Sequence, residues 1–488
     1  MNWYFASGDM GFFWPEQMQA LSWLPQVFYK EYGFGFNGLL SLWLDYPFRV
    51  FVKLLSTAGL SWFIIEKLLW LSVFALAVYS AYLLTKHWIG SLIFAANTYI
   101  LLLFSGGQLG VAFAYAFSPF VLFRFITYQK GTVKTHIVNG LWFALLILFD
   151  LRIAYLMLGA IVLYGLKSVV PLFVAASVHL YWILPTLLAS RGTASLGEQF
   201  TNPGMLKFLS FTDFPHALGL LHPNWPENLF GKVYFMQPEF LIIPLVAFGS
   251  LLFKEKNIRF FAILALIGAF FAKGVLGPFG GIFQWMFEHV PGFVMFRDPT
   301  KFYFYVAIAY SVLIPAVLKK INNKFVYAIF IIFWIFSLRE INLKPSKLPA
   351  EYVKLKDLLV ADTIPSRTLW IPQKENYAYF SDVHPILAAT DSSMIDPSVK
   401  YIIVPIDVNK RIFLNDYTFD ENLRDKIISD ISLPRDTRFH DVALFENPNF
   451  TRMYTIVPAI VQRQQHLANI GAILSVVLLI TFLCILLY

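Results

Sequence analysis

Apolar runs of membrane-spanning length recur along this chain from residue 65 to its C-terminal end. A span needs roughly 17–25 predominantly apolar residues. Candidate spans, several of them short, lie near 65–85, 88–105, 109–128, 135–150, 152–169, 170–190, 238–253, 258–273, 303–318, 325–339 and 466–488. With 58% hydrophobic and only 14% charged residues, the chain has too few charges to coat a soluble particle, which is about a quarter charged. The expected class is an α-helical polytopic membrane protein of about eleven transmembrane helices. The net charge of +8 needs no nucleic acid to explain it, because basic residues gather in the cytoplasmic loops of membrane proteins. The single cysteine, Cys484, lies in an apolar run, so neither an intrachain disulfide nor a cysteine metal site is available.

The short loops orient the set. Lys86 and His87, Lys130 and Lys134, Lys167, Lys254 with Lys256 and Arg259, and Lys319 with Lys320 and Lys324 follow alternate spans. Those loops are therefore cytoplasmic. The opposite face carries residues 1–62, the turn Asp150–Arg152, loops 191–237 and 274–302, and the hydrophilic stretch 340–462. The expected organisation is a first extracytoplasmic loop with interfacial helices (1–62), a transmembrane core (63–339), an extracytoplasmic α/β domain (340–462) and a C-terminal span (463–488). Met1 would lie outside with no span before it. An upstream in-frame hydrophobic segment of about twenty codons is the expected remedy.

The outer loops hold the chemistry. Residues 1–62 mix rings (Trp3, Phe12, Phe13, Trp14, Trp23, Phe28, Tyr29) with Gly, Pro and Gln, as headgroup-plane helices do. Asp9 would sit at the outer boundary, where a carboxylate costs little. After a glycine it suits a turn or a helix N-cap, and Glu16 suits the first turn of a helix. Asp150 and Arg152 can pair across a tight turn, and His179 can be a hydrogen-bonded packing residue. Arg297, Asp298 and Lys301, in "MFRDPTKF", can anchor the start of a span. The functional reading gains because Asp9, Asp150, Arg152, Asp213, His216, His222, Arg297 and Lys301 share one face by this topology. A carboxylate beside apolar rings can be raised into the range of a general base. Interfacial Arg and Lys suit a phosphate.

The "SGD" at 7–9 resembles the acidic first-loop motif of the GT-C glycosyltransferases, polytopic enzymes that use polyprenyl-phosphate sugars. "LYWILP" (180–185), the Gly-rich stretch 270–302 ending "PGFVMFRDPTKF", and "FENPN" (445–449) are similar to arabinofuranosyltransferase-like and related uncharacterised branches of that superfamily. The resemblance covers nearly the whole chain and implies that Asp9 is the catalytic base. The family has a helix before that loop, absent here. Many relatives also carry a D-x-D or D-D pair where this chain offers one aspartate. A Mg²⁺ or Mn²⁺ ion bound at Asp9 would need a second carboxylate, for which Asp150 is the candidate.

Region 340–462 alternates β-rich runs, "RTLWIP" (367–372), "KYIIVPID" (400–407) and "DVALFENP" (441–448), with helical stretches such as "ENLRDKIISDI" (421–431). It reads as a small α/β domain for acceptor binding or packing. The expected activity is inverting transfer of a sugar from a polyprenyl-phosphate donor to a glycan, lipid or protein acceptor at the outer face of the cell membrane. Asp9 would be the base, and Arg297, Lys301 and Arg152 would hold the phosphate. Glu16, Asp150 and His222 are further candidates. The alternatives are a lipid or polysaccharide transporter or flippase, and a non-catalytic GT-C-like membrane protein. A transporter would place ionisable residues near the midplane, where this chain has little beyond His179.

Overall fold

The computed structural model describes residues 3–5, 9–189, 203–220, 238–253, 255–338, 347–371, 376–389, 395–406, 421–452 and 456–487. The chain divides into two compact units. One comprises Met1–Lys67, Leu180–Arg191 and Lys344–Leu474, and the other Leu68–His179, Gly192–Leu343 and Ser475–Tyr488.

The first unit contains a four-stranded sheet. After a short antiparallel hairpin of β1 (Phe28–Tyr29) and β2 (Phe36–Asn37), the strands are β3 (Arg367–Trp370), β4 (Ile386–Ala388), β5 (Val399–Pro405) and β6 (Val442–Glu446). They lie in the order β4-β3-β5-β6, with β3 parallel to both neighbours and β6 antiparallel to β5. Every residue of β5 is buried, as expected for a central strand written as a continuous apolar run. Leu369, Ile402, Val404 and Phe445 form its core with Ile427 of the helix Glu421–Asp430. The carboxylate of Glu351, in the helix Ala350–Ala361, accepts the backbone N–H groups of His440, Asp441 and Val442 at the start of β6.

The N-terminal segment is bound into this same unit. Ile386 of β4 accepts from Gly33 N–H at 2.8 Å and donates to the Glu31 carbonyl at 3.0 Å, so residues 31–33 lengthen the sheet edge. Trp14 Nε1 donates to the Tyr377 carbonyl at 3.2 Å, and Phe12 packs against Tyr377. The longest helix of residues 1–62 is Leu42–Thr57. Rings mixed with polar groups suit a protein surface as well as a headgroup layer, and here they pack on protein.

The second unit is helical. Its centre is Tyr303–Ile321, buried almost throughout. Small residues let neighbouring helices approach it. A Cβ on Gly90 would come within 2.5 Å of the Ser311 carbonyl, and one on Gly268 within 2.7 Å of Tyr305 Cβ. Similarly, Gly140 brings Val133–Phe149 against Val170–Ser177, with a hypothetical Cβ 2.7 Å from the Pro171 carbonyl.

Among the described residues five helices are long and apolar enough to cross a membrane: Trp62–Thr85, Trp88–Ser105, Leu109–Thr127, Pro299–Ile321 and Ala459–Leu487. The run expected as one span over 170–190 is two helices, Val170–Ser177 and Leu180–Ala189, which make a sixth if counted together. Val133–Phe149, Leu151–Tyr164, Ile242–Phe253, Asn257–Ala272 and Lys324–Ser337 are apolar but shorter. The count of eleven therefore does not follow from helix length alone.

The run 88–105 is itself broken into Trp88–Ala95 and Thr98–Ser105 by Asn97. A break among apolar neighbours must satisfy the backbone groups it frees. Asn97, fully buried, donates from Nδ2 to the carbonyls of Ile93 (2.9 Å) and Phe94 (2.8 Å) and to the Tyr115 hydroxyl (2.8 Å). Its Oδ1 accepts the Ile100 N–H, and Trp334 Nε1 donates to the Ala96 carbonyl. An Asn97→Leu variant takes the side-chain partner from the Ile93 carbonyl and the Ile100 N–H at nearly constant volume. It is expected to cost about 2 kcal/mol, read as a lower thermal midpoint of the purified protein in detergent. An unchanged midpoint would mean that the break is held by Trp334 and packing alone.

Candidate functional site

The polar residues of the second unit gather where loops, not helix interiors, meet. Val133–Phe149 passes into Leu151–Tyr164 through one residue, Asp150, in extended conformation (φ −159°). Its Oδ1 accepts the N–H groups of Arg152 (2.8 Å) and Ile153 (3.1 Å), capping the second helix. The Arg152 guanidinium closes on the same carboxylate, Nη2 to Oδ2 at 2.7 Å and Nε to both oxygens at 3.2 Å. Asp150 is wholly buried, whereas the Arg152 side chain is 30% exposed. Its Nη1 has no partner among the described residues.

A second ion pair belongs to the same group. Asp298 caps the 3-10 turn Pro299–Phe302, accepting Thr300 N–H (3.0 Å) and Oγ1–H (2.6 Å). Its other oxygen takes a hydrogen bond from Lys301 Nζ at 2.7 Å. That ammonium also donates to Gln108 Oε1 at 3.0 Å, and its side chain is only 2% exposed. Burial by itself would raise the Asp298 carboxyl, but the Lys301 ammonium and the Thr300 donors outweigh it and hold it below the ordinary carboxylate range.

Tyr99 joins the two pairs. Its buried phenol makes no hydrogen bond among the described residues, yet it lies within the field of Asp298, Asp150 and Arg152. Its ring stacks on Tyr303 at 5.8 Å and meets Tyr115 edge-on at 5.5 Å. Tyr303 in turn shares a hydrogen bond with Thr212 at 3.1 Å, beside Asp213. Asp213 caps the helix Phe214–Gly219 and bonds His216 Nδ1 at 2.6 Å.

Of the residues expected from sequence, the structure thus brings together Asp150, Arg152 and Lys301. Arg297 adjoins them in sequence, half-buried between the 3-10 turn Phe293–Phe296 and Asp298. Lys301 is committed to Asp298 and Gln108, so its charge is already balanced inside the protein. His179 is buried with Nε2 2.9 Å from the Ala144 carbonyl, as a packing histidine would be. In the other unit, Asp9 lies exposed in a turn beside buried Met10, and Glu16 pairs with Lys356 at 3.0 Å. His222 falls outside the described residues. Sequence reasoning passed over Tyr99 and Gln108. The lone glutamine of "SGGQLG" was the available signal for Gln108, and nothing local marks Tyr99.

The residues present do not fit the Mg²⁺ or Mn²⁺ expectation at Asp150. Both its oxygens are engaged by Arg152 and by backbone N–H groups, and the guanidinium would repel a cation. Among the described residues no group of three or more His, Cys, Asp or Glu could hold a metal ion.

The Asp298–Lys301 pair yields a pH signature. A folded-state carboxyl held low contributes stability that is complete above its unfolded value, about 3.9, and is lost as pH falls through the folded value. Asp298→Asn strands a buried ammonium and is expected to destabilise by about 3 kcal/mol. The gap in thermal midpoint between parent and variant should stay constant from neutral pH to about pH 4 and shrink below it. A gap that already closes between pH 7 and 5 would overturn the pairing.

No family model and no curated protein sequence matches this chain. Solved structures do match in fold. The cryo-EM structure of the arabinofuranosyltransferase AftD from Mycobacteria aligns with a TM-score of 0.57 at 13% identity, covering 92% of this chain and 38% of that one. A mutant form of the same enzyme, in its class 1 structure, aligns with a TM-score of 0.50 at 13% identity, covering 90% and 39%. The chain thus spans well under half the length of the protein it matches, and at that identity what they share is the fold.

Proposed function

We propose that this chain is an integral membrane glycosyltransferase that moves a sugar from a polyprenyl-phosphate donor to a hydroxyl acceptor at the extracytoplasmic face of the cell membrane, with inversion. The observation that carries the reading is the fold likeness to AftD over 92% of this chain. The "SGD" at 7–9 and the basic-loop pattern support it from the sequence side.

In this reading Asp9 takes the proton of the acceptor hydroxyl as its oxygen attacks the anomeric carbon. The bond between that carbon and the phosphate oxygen breaks, and its electron pair leaves with the polyprenyl phosphate. Arg297 and Arg152 are the cations suited to the growing phosphate charge. Arg152 suits it because Asp150 fixes one edge of its guanidinium and leaves Nη1 to bind. Lys301 acts less directly, since its ammonium is sequestered by Asp298 and Gln108; it sets the position of the loop that carries Arg297. The donor enters from the bilayer, and the acceptor is a glycan, lipid or protein at the surface.

Asp9→Asn preserves shape and most hydrogen bonding but cannot accept the proton. With purified protein, a labelled polyprenyl-phosphate sugar and a panel of acceptors, the variant is expected to lose at least about 100-fold in transfer rate at normal expression. Parental activity in that variant removes Asp9 from the chemistry. Binding of the donor without turnover by the parent chain would leave a glycolipid-binding protein in place of an enzyme.

A further inference from the structure

The opposite end of the helical unit, where the basic loops lie, holds a cavity that the proposed reaction does not use. It is a narrow crevice that opens outward: the space it encloses is about 20 Å³, room for one water-sized group such as a single phosphate oxygen, with the rest of a head group at its mouth. Phe125 and Ile161 supply apolar surface, and Gln129, His136, Asn139 and Lys167 supply polar surface.

Three features point to an anion. Asn139 is 1% exposed, and its Oδ1 is held by Arg124 Nε–H at 3.2 Å. Its Nδ2 is left at the cavity with no hydrogen bond to the described residues. The same holds for the side chains of Gln129, His136 and Lys167: none is hydrogen-bonded or ion-paired within the described residues, although all line the cavity. Finally, the charge is one-sided. Between Glu66 and Glu198 the sequence has one acidic residue, Asp150, which caps the far end of Val133–Phe149 and is neutralised by Arg152. The segments around the cavity contribute Arg124, Lys130, Lys134 and Lys167, and Tyr164, just before the lining residue Gly165, bonds Asn257 of a neighbouring segment whose one acid, Glu255, is flanked by Lys254, Lys256 and Arg259. The Arg124 guanidinium, stacked on Tyr128 at 4.3 Å, is fixed rather than loose. The site is also built by packing, since Gly140, next to Asn139, permits the close crossing with Pro171 that brings the two helices to the cavity.

We propose that this cavity binds the phosphate of an anionic phospholipid head group from the leaflet on the basic-loop side. Asn139 Nδ2 and Lys167 Nζ donate to its oxygens, and the acyl chains run along the apolar helix faces. A phosphate is favoured over a carboxylate solute because the donors stand at a loop–helix boundary where head groups lie, and basic pockets between helices on the cytoplasmic side are suited to such lipids. The site stands independently of the glycosyl-transfer reading.

The full chain, reconstituted in nanodiscs of phosphatidylcholine with graded phosphatidylglycerol, tests this by native mass spectrometry of retained lipid and by thermal midpoint. Phosphatidylglycerol is expected to be retained and to raise the midpoint. Lys167→Gln and Asn139→Ala should each weaken retention at least about fivefold, the scale of one lost charge-assisted hydrogen bond. Lys134→Gln, which removes an exposed charge in the first turn of Val133–Phe149 and outside the cavity lining, should leave it unchanged. Equal weakening by Lys134→Gln would reduce the effect to diffuse surface charge and overturn the site. Stabilisation by inorganic phosphate in neutral nanodiscs, with none from phosphatidylglycerol, would assign the cavity to a soluble phosphate and overturn the lipid reading.

Discussion

An ammonium at 2% exposure can persist only if its charge is answered locally, and the pairing of Lys301 with Asp298 and Gln108 is the interaction on which the polar end of the helical unit depends. Removing an ion from water costs several kcal/mol, so the three residues must be brought to fixed positions before the pair is worth forming. Gln108 begins the approach to Leu109–Thr127, and Asp298 caps the turn into Tyr303–Ile321. The pair therefore ties the entry of one buried helix to the entry of another. Asp150 repeats the device with Arg152, ending one helix and starting the next within a single residue.

These compensated pairs create an environment that neutral loops could not. With two carboxylates and two cations already balanced, the half-buried Arg297, the exposed edge of Arg152 and the buried Tyr99 phenol supply donors in a region of low dielectric constant. Such preorganised donors are effective for charge that develops during a reaction, because they need no reorganisation when it appears. That is the physical link between the polar cluster and the transfer from a lipid phosphate proposed above. At the other end of the same unit the balance is one-sided, with cations well in excess of the single acid Glu255 in the 254–259 loop. Each end therefore favours a different role: balanced dipoles for reactive chemistry, and net positive charge for holding an anion.

Much of this was legible before any coordinates. The strands at 367–372, 400–407 and 441–448 and the helix at 421–431 appear close to where their patterns placed them, because β-branched and aromatic runs bounded by turn residues have few other uses. Asp150 and Arg152 form the pair that their spacing allowed. Other features were hidden for definite reasons. Asn97 breaks a span in a stretch otherwise apolar, and the break is sustained by Tyr115 and Trp334, which are remote in sequence. The rings of residues 12–37 carry the same pattern whether they meet head groups or the backbone of Asn376 and Tyr377.

The sequence alone determined that the chain is of membrane type, since its charge density is too low for water, and it set the expectation of which loops share an end, since basic residues recur after alternate apolar runs. Only the tertiary structure decided which of the loop charges are spent on one another. Lys301 and Arg152 look equivalent as cations in the sequence, yet one is enclosed by Asp298 and Gln108 while the other keeps an exposed edge. Sequence sets the number and side of charges through local composition. Their availability depends on distances of a few ångströms between residues far apart in the chain, which only packing fixes.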